Sequence, residues 1–234
     1  MTVRFAFWTR ERRPVRGAKT GSAAPRPATL ARAPGKQYDR AYFDRWYRRS
    51  RVGVGAREFV ARKVRLAVMA AEYVLARPIR TVLDVGCGEA PWRAILKRMR
   101  PRIEYTGFDS SEYVVARYGR RRNIQRASLG ELPFVDLRGM YDLVVCADVL
   151  HYVRSPELRT GLAALAPHVG GVAFIETFTS ADTIEGDHAE LQARPPAEYR
   201  KFFDEAGLLP IGLHLYVTRK TAKTLVALER GEGG

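Results

Sequence analysis

Residues 82–92 read Val-Leu-Asp-Val-Gly-Cys-Gly-Glu-Ala-Pro-Trp. Thr81, Val82 and Leu83 lead into Asp84, Gly86 and Gly88 follow, and a helix-like run continues to Arg100. This is a buried strand, a tight glycine turn and a helix start. Glycine at such a turn lets a ligand approach the backbone where a side chain would block it. Glycine pairs also occur in tight turns that bind nothing, so the pair alone decides little. The dinucleotide fingerprint asks for a third Gly or Ala three residues after Gly88, and Pro91 stands there. A phosphate-binding turn is therefore disfavoured.

Two further segments extend the pattern. Ile103-Glu104-Tyr105-Thr106-Gly107-Phe108 alternates like a strand and ends at Asp109. A carboxylate one βα unit after a glycine turn is placed to accept hydrogen bonds from ribose hydroxyls. The competing reading is a helix N-cap, a job that Ser110 and Ser111 can share. Next, Tyr141-Asp142-Leu143-Val144-Val145-Cys146 is an apolar run of strand length. It stops at Ala147-Asp148, before Val149-Leu150-His151-Tyr152. Leu132-Pro133-Phe134 lies upstream of it.

In this order the segments resemble the class I S-adenosylmethionine-dependent methyltransferases of the small-molecule type, closely over residues 80–176 and loosely over 37–79 and 196–229. The resemblance implies an α/β fold. Its sheet is Rossmann-like, doubly wound, seven-stranded and mostly parallel, with an antiparallel final strand and helices on both faces. It implies S-adenosyl-L-methionine as cofactor. Its contacts fall on Asp84, Gly86, Cys87 and Gly88 at the turn, on Asp109 and Ser110 after the second strand, and on Ala147 after the fourth. Ser128 and Leu129 follow the short third strand, where family members often carry an acid for the adenine amino group. Ala90 stands where many relatives have a third glycine.

Composition agrees. The chain has 234 residues, 46% of them hydrophobic, enough for one sizeable core. No apolar run approaches the roughly 18–20 residues of a membrane span. Cys87 and Cys146 are the only cysteines, and both fall in or beside strands. Without His partners at ligand spacing they make no zinc site, so no metal is expected. Two thiols of this kind suit a reducing cytoplasm. The net charge is +15, and residues 1–36 carry nine Lys or Arg against one acid. That stretch also holds Pro14, Pro25, Pro27 and Pro34, and it reads as a disordered basic arm before a domain over 37–234.

Within the domain, residues 37–79 read as an N-terminal helical lid and 80–234 as the core. Tyr38, Tyr42, Phe43 and Trp46 share one face at helical spacing. The resemblance makes this helix a cover over cofactor and substrate, with Tyr38 and Tyr42 as substrate contacts. A helix over 57–76 stops before Pro78. Helices over 111–118, 156–166 and 197–206 alternate with strands at 123–126 and 171–176. Strands at about 209–218 and 222–229 finish the sheet, joined by an Arg219-Lys220-Thr221 turn.

The chemistry falls on the strand ends. Methyl transfer from a sulfonium is an in-line displacement that needs positioning and, for some acceptors, removal of a proton. Asp148 and His151, one helical turn apart, are the catalytic candidates. Helix capping and a wall position are their structural alternatives. Glu176, Asp182, Glu185, Asp187 and Glu190 surround His188 in the loop after the fifth strand. That loop is either a solvated acidic surface or a mouth for a cationic or amine acceptor, with His188 as a substrate contact.

Nucleic-acid methylation is the weaker alternative. Ala147-Asp148-Val149-Leu150 replaces the Asn/Asp-Pro-Pro-aromatic segment that holds a flipped base. Only the basic arm speaks for RNA or DNA. A cofactor-binding domain without turnover is the third reading. The oligomeric state is open.

Overall fold

The computed structural model describes residues 36–49, 57–183 and 187–225. The arm read over residues 1–36 lies outside them except for Lys36. The chain enters through α1 (Arg40–Phe43), whose N-cap Asp39 accepts from the Tyr42 N–H, and continues as a π-helical segment, Asp44–Arg49. The long helix α2 (Arg57–Leu75) follows. Val60, Ala61, Val64, Ala67, Val68 and Ala71 are its buried positions, a stripe of helical period. Each valine so buried contributes about 1.5–3 kcal/mol. Ala76 ends the helix in the left-handed region at φ 51°.

Then come β1 (Thr81–Val85), α3 (Pro91–Met99), β2 (Glu104–Asp109), α4 (Glu112–Arg122) and β3 (Ile124–Arg126). A 3-10 turn, Leu129–Phe134, leads to β4 (Tyr141–Ala147), and a second, Leu150–Tyr152, to α5 (Ser155–Leu165). β5 (Val169–Glu176), α6 (Pro196–Glu205), β6 (Leu208–Gly212), β7 (Leu215–Thr218) and α7 (Arg219–Ala222) complete the described chain. Among the described residues no helix is long and apolar enough to cross a membrane.

The sheet order is β3-β2-β1-β4-β5-β7-β6. Neighbours from β3 to β5 pair in parallel, and β7 runs antiparallel to both β5 and β6. The strand order therefore reverses between β1 and β4. In open α/β sheets the crevice for a ligand lies there, beyond the carboxyl ends of the strands. Strand alternation splits the core into two layers. Val82, Leu143, Val145 and Phe174 pack with α2, α3 and α4. Leu83, Val144, Cys146 and Ile175 pack with α5, α6 and the first 3-10 turn. Asp142, at the amino end of β4, ties β1 in place. It accepts two bonds from the Arg77 guanidinium, at 2.7 and 3.0 Å, and one from the Arg80 N–H at 2.6 Å.

The last hairpin corrects the sequence reading. Its turn is Leu213-His214, both at positive φ (51° and 64°), after Gly212 at φ 95°. Two residues at positive φ suit the right-handed twist of a tight hairpin, but this turn lacks the Asn-Gly or Asp-Gly pair that announces one. The Arg219-Lys220-Thr221 segment belongs instead to α7, capped by Thr218, whose side chain accepts from the Thr221 N–H. Of the strand expected over 222–229, Ala222 is helical, 223–225 form a turn and bend, and 226–229 lie outside the described residues.

Candidate active site

Gly86 and Gly88 both sit at positive φ, 71° and 51°. A Cβ on Gly86 would stand 2.2 Å from Val149 Cγ2, and one on Gly88 would stand 2.3 Å from the Tyr47 hydroxyl oxygen. A side chain at Gly86 would collide with the packed Val149, and one at Gly88 would have to displace the Tyr47 hydroxyl. The Gly86 and Cys87 N–H groups both donate to the Phe108 carbonyl, at 2.7 and 3.0 Å, so the turn is fastened to the end of β2.

Two buried carboxylates flank the turn. Asp84 is 3% exposed and accepts from the Tyr105 hydroxyl at 2.7 Å. Burial pushes its pKa up to about 7, against the Tyr105 hydrogen bond and with the help of the Asp109 charge. Asp109 accepts from the Gly88 N–H at 2.7 Å and from the Ser111 N–H at 2.9 Å. Burial raises its pKa too, while those two amides pull it down. Asp109 does not cap α4. Ser111 does, accepting from the Val114 N–H at 3.1 Å. Each Asp109 oxygen keeps a further lone pair for a donor such as a hydroxyl.

A cavity of about 220 Å³ opens at the strand-order switch. Gly86, Asp109 and Ser110 line one side, Ala127, Ser128 and Leu129 a second, and Asp148 with Val149 the floor. Tyr38, Tyr42, Phe43 and Tyr47 form the roof. Asp148 takes φ 60°, strained for a side-chain-bearing residue, and its N–H donates to the Glu176 carbonyl at 3.1 Å. Burial and the Glu176 charge raise Asp148 to about 6, against Lys63 and His214. Lys63 itself pairs with Glu176.

A family model described as "Methyltransferase domain" matches residues 55–211. The chain belongs to the methyltransferase domain family. A sequence relative, an uncharacterized protein of Synechococcus sp., is 29% identical over 125 residues, which is 50% of this chain and 29% of that protein. The match thus spans less than a third of the relative's length.

Solved structures share the fold. Magnesium protoporphyrin IX methyltransferase from Synechocystis PCC 6803, with bound SAH, superposes at a TM-score of 0.54 and 21% identity, over 75% of this chain and 89% of that one. The sugar N-methyltransferase KedS8 from Streptoalloteichus sp ATCC 53650 gives 0.55 and 21%, over 86% and 100%. DesVI of Streptomyces venezuelae gives 0.55 and 16%, over 70% and 93%.

Within this methyltransferase domain the structure sorts the residues named from sequence. Gly86, Asp109, Ser110, Ser128, Leu129, Asp148, Tyr38 and Tyr42 meet on the one cavity. Asp84, Cys87, Gly88 and Ala147 stand behind it, outside its lining. Cys87 and Cys146 are buried thiols whose pKa burial raises. His151 is also outside the lining. It is 2% exposed, wedged between Tyr152 and Phe178, with Nδ1 3.4 Å from the Thr177 hydroxyl. Burial and then the Lys36 charge lower its pKa to about 4, so it stands neutral at physiological pH.

His188 lines a different cavity, of about 200 Å³, beside Phe178, Thr179 and Leu191. Of the acids around it, Glu185 lies outside the described residues and the others have partners within the chain. Asp182 accepts from the Thr179 N–H at 2.8 Å, and Asp187 pairs with Lys36 at 2.6 Å. Glu190 accepts from the Lys36 N–H at 2.8 Å.

Sequence reasoning missed Tyr47. The helical spacing put Trp46 on the cavity face, but the chain winds as a π-helix from Asp44. A π-turn bonds i to i+5 and carries the face one residue further along. Tyr47 therefore takes the inward place, tilted against Phe43 at 4.8 Å, while Trp46 stacks with Arg45. Glu157 of α5 was missed as well. It lines the cavity beside Gly130, near Ser128, where an acid was sought. Arg194 supports the wall from behind. It is 5% exposed and donates to the Leu150 carbonyl at 3.3 Å and the Ser155 hydroxyl at 3.0 Å, fixing the turn that carries Tyr152.

Proposed function

We propose that this methyltransferase moves a methyl group from S-adenosylmethionine to an oxygen or nitrogen of a small molecule. One observation carries the reading. Two glycines at positive φ, whose Cβ positions are already taken, stand between two buried carboxylates, and the first of them, Gly86, opens onto the same cavity as Asp109 and Asp148. That donor set fits the cofactor. Gly86 on the cavity offers its backbone to the methionine portion, Gly88 keeps the turn tight behind it, and Asp84 answers the methionine ammonium. Asp109 accepts from the ribose hydroxyls, and Ala127, Ser128 and Leu129 make a wall for the purine. The structures of similar fold add support, since one carries SAH and another is a sugar N-methyltransferase.

When bound, S-adenosylmethionine supplies a methyl group already activated on a sulfonium sulfur. The chain's own residues have to hold the acceptor in line and exclude water. The tyrosine roof does the second. Asp148 on the floor, raised to about 6, orients the acceptor and takes its proton at a carboxylate oxygen, a poise close to neutral that suits a general base.

Calorimetric titration with S-adenosylmethionine and S-adenosylhomocysteine tests the reading, with Asp109→Ala beside the wild type and thermal unfolding of both as a control. Micromolar binding weakened at least about tenfold by the substitution, close to 1.4 kcal/mol, is the expected result. No binding by the folded wild-type protein sinks the cofactor assignment.

A further inference from the structure

Beside the cavity the structure holds an ammonium in an aromatic cage. Lys36 Nζ lies 3.5 Å from the ring centre of Tyr152, 5.1 Å from that of Tyr38 and 5.4 Å from that of Tyr42. Asp187 closes the cage at 2.6 Å, and the Lys36 side chain is 5% exposed. The walls are themselves braced. Tyr38 and Tyr42 meet edge to face at 5.0 Å, and the Tyr152 hydroxyl donates to the Asp187 carbonyl at 2.8 Å. Ring faces attract cations through their quadrupole, most strongly when water is excluded.

The three rings have a second duty, because Tyr38, Tyr42 and Tyr152 also line the cavity that holds Asp109 and Asp148. A lysine clamp needing only to fasten a lid would be served by a surface carboxylate. Here the cation sits where the rings of the roof and of the wall converge, at the border of the candidate site. Burial lowers the Lys36 pKa although Asp187 and Glu190 raise it, so the chain's own ammonium is held at a cost in desolvation.

We infer that Tyr38, Tyr42, Tyr152 and Asp187 form a subsite for an alkylammonium group of the acceptor, and that Lys36 occupies it until the acceptor displaces it. The acceptor class is then an amine-bearing small molecule, recognised by charge and by the ring faces. This deepens the methyl-transfer reading and rests on it for the use made of the amine, whereas the cation site stands on the cage alone.

The test measures choline binding by calorimetry, against the uncharged carbon isostere of choline. The proteins are the wild type, Lys36→Ala, Lys36→Gln and Lys36→Ala/Tyr152→Leu. Removing the lysine empties the cage, so both single variants are expected to bind choline about tenfold more tightly than the wild type and to prefer it over the isostere by a similar factor. The double variant is expected to lose that preference. The inference is overturned if the folded single variants bind no choline, or bind the isostere equally well. S-adenosylhomocysteine is titrated into the same samples. Its binding without choline binding sinks the cage alone, and choline binding without it sinks the cofactor reading alone.

Discussion

Gly86→Ala tests whether the glycine turn is dictated by local geometry. Gly86 sits at φ 71°, and its missing Cβ would approach Val149 Cγ2 to 2.2 Å and Cγ1 to 3.2 Å. The substitution thus incurs two separable costs. An L-residue held in the left-handed region costs about 1–2 kcal/mol. Overlap with a packed side chain costs about 1–3 kcal/mol more, because the turn is held by the Gly86 and Cys87 amides on Phe108 and cannot simply retreat. Equilibrium unfolding in urea should show a loss of about 2–5 kcal/mol with an unchanged m-value. Val149→Ala removes the colliding methyls and leaves the backbone strain. The double variant should therefore be more stable than additivity allows, by a coupling energy of about 1–3 kcal/mol. A loss under about 1 kcal/mol for Gly86→Ala, or strict additivity in the double variant, would refute the argument that this position is closed to a side chain.

Two further outcomes follow from the buried charges. Asp84 has a pKa of about 7 and must be ionised to answer an ammonium, so protonation competes with binding as the pH falls. The affinity for S-adenosylhomocysteine should drop about tenfold from about pH 8 to about pH 6, and Asp84→Asn should level the profile; a flat wild-type profile counts against Asp84 as the ammonium partner. Lys63 and Glu176 form a pair with side chains 12% and 7% exposed, so Lys63→Met leaves a buried carboxylate beside Asp148 without its cation. Urea unfolding should show a loss of about 3–5 kcal/mol, most of it recovered in Lys63→Met/Glu176→Leu; equal stability of the two variants would mean that the uncompensated charge is not what costs.

What was legible in the sequence was what repeats with a period or punctuates it. Val82-Leu83-Asp84-Val85 and Leu143-Val144-Val145-Cys146 alternate between two apolar layers, and so read as buried strands. Gly86, Gly88 and Pro91 mark a turn and a helix start, Asp109 ends β2 and Asp148 follows β4, so their convergence at the switch in strand order follows from topology. Tyr47 was hidden because one residue of π-winding moves the inward face, and no residue type announces a π-turn. The Leu213-His214 hairpin was hidden because it takes positive φ without glycine or asparagine in the turn. The Lys36 cage was hidden for another reason. Its members lie at positions 36, 38, 42, 152 and 187. Lys36 counted as the last charge of a basic arm, and only the fold brings Tyr152 and Asp187 to it.

Segment 36–49 and the sheet are held by different balances of force. The core buries two apolar layers, one on each face of the sheet. Among the described residues of segment 36–49, Phe43 is the one fully buried side chain, at 2% exposure. Tyr38, Tyr42 and Tyr47 pack against the same core half-buried, and polar ties add to them. Arg48 pairs with Asp44 and Glu89, the Ser111 hydroxyl donates to the Tyr38 carbonyl, and Lys36 pairs with Asp187. Ion pairs that keep contact with water, such as those of the 38% exposed Arg48, are worth about 0–1 kcal/mol each. Segment 36–49 buries less apolar surface than either layer of the sheet, so its amides are expected to exchange with solvent faster than those of β4; equal protection would refute a separate opening of this segment. Lifting it would withdraw Tyr47 from Gly88, Tyr38 and Tyr42 from the cage, and Lys36 from Asp187 in one motion. The glycine turn and the Lys36 cage are thus covered by the same segment.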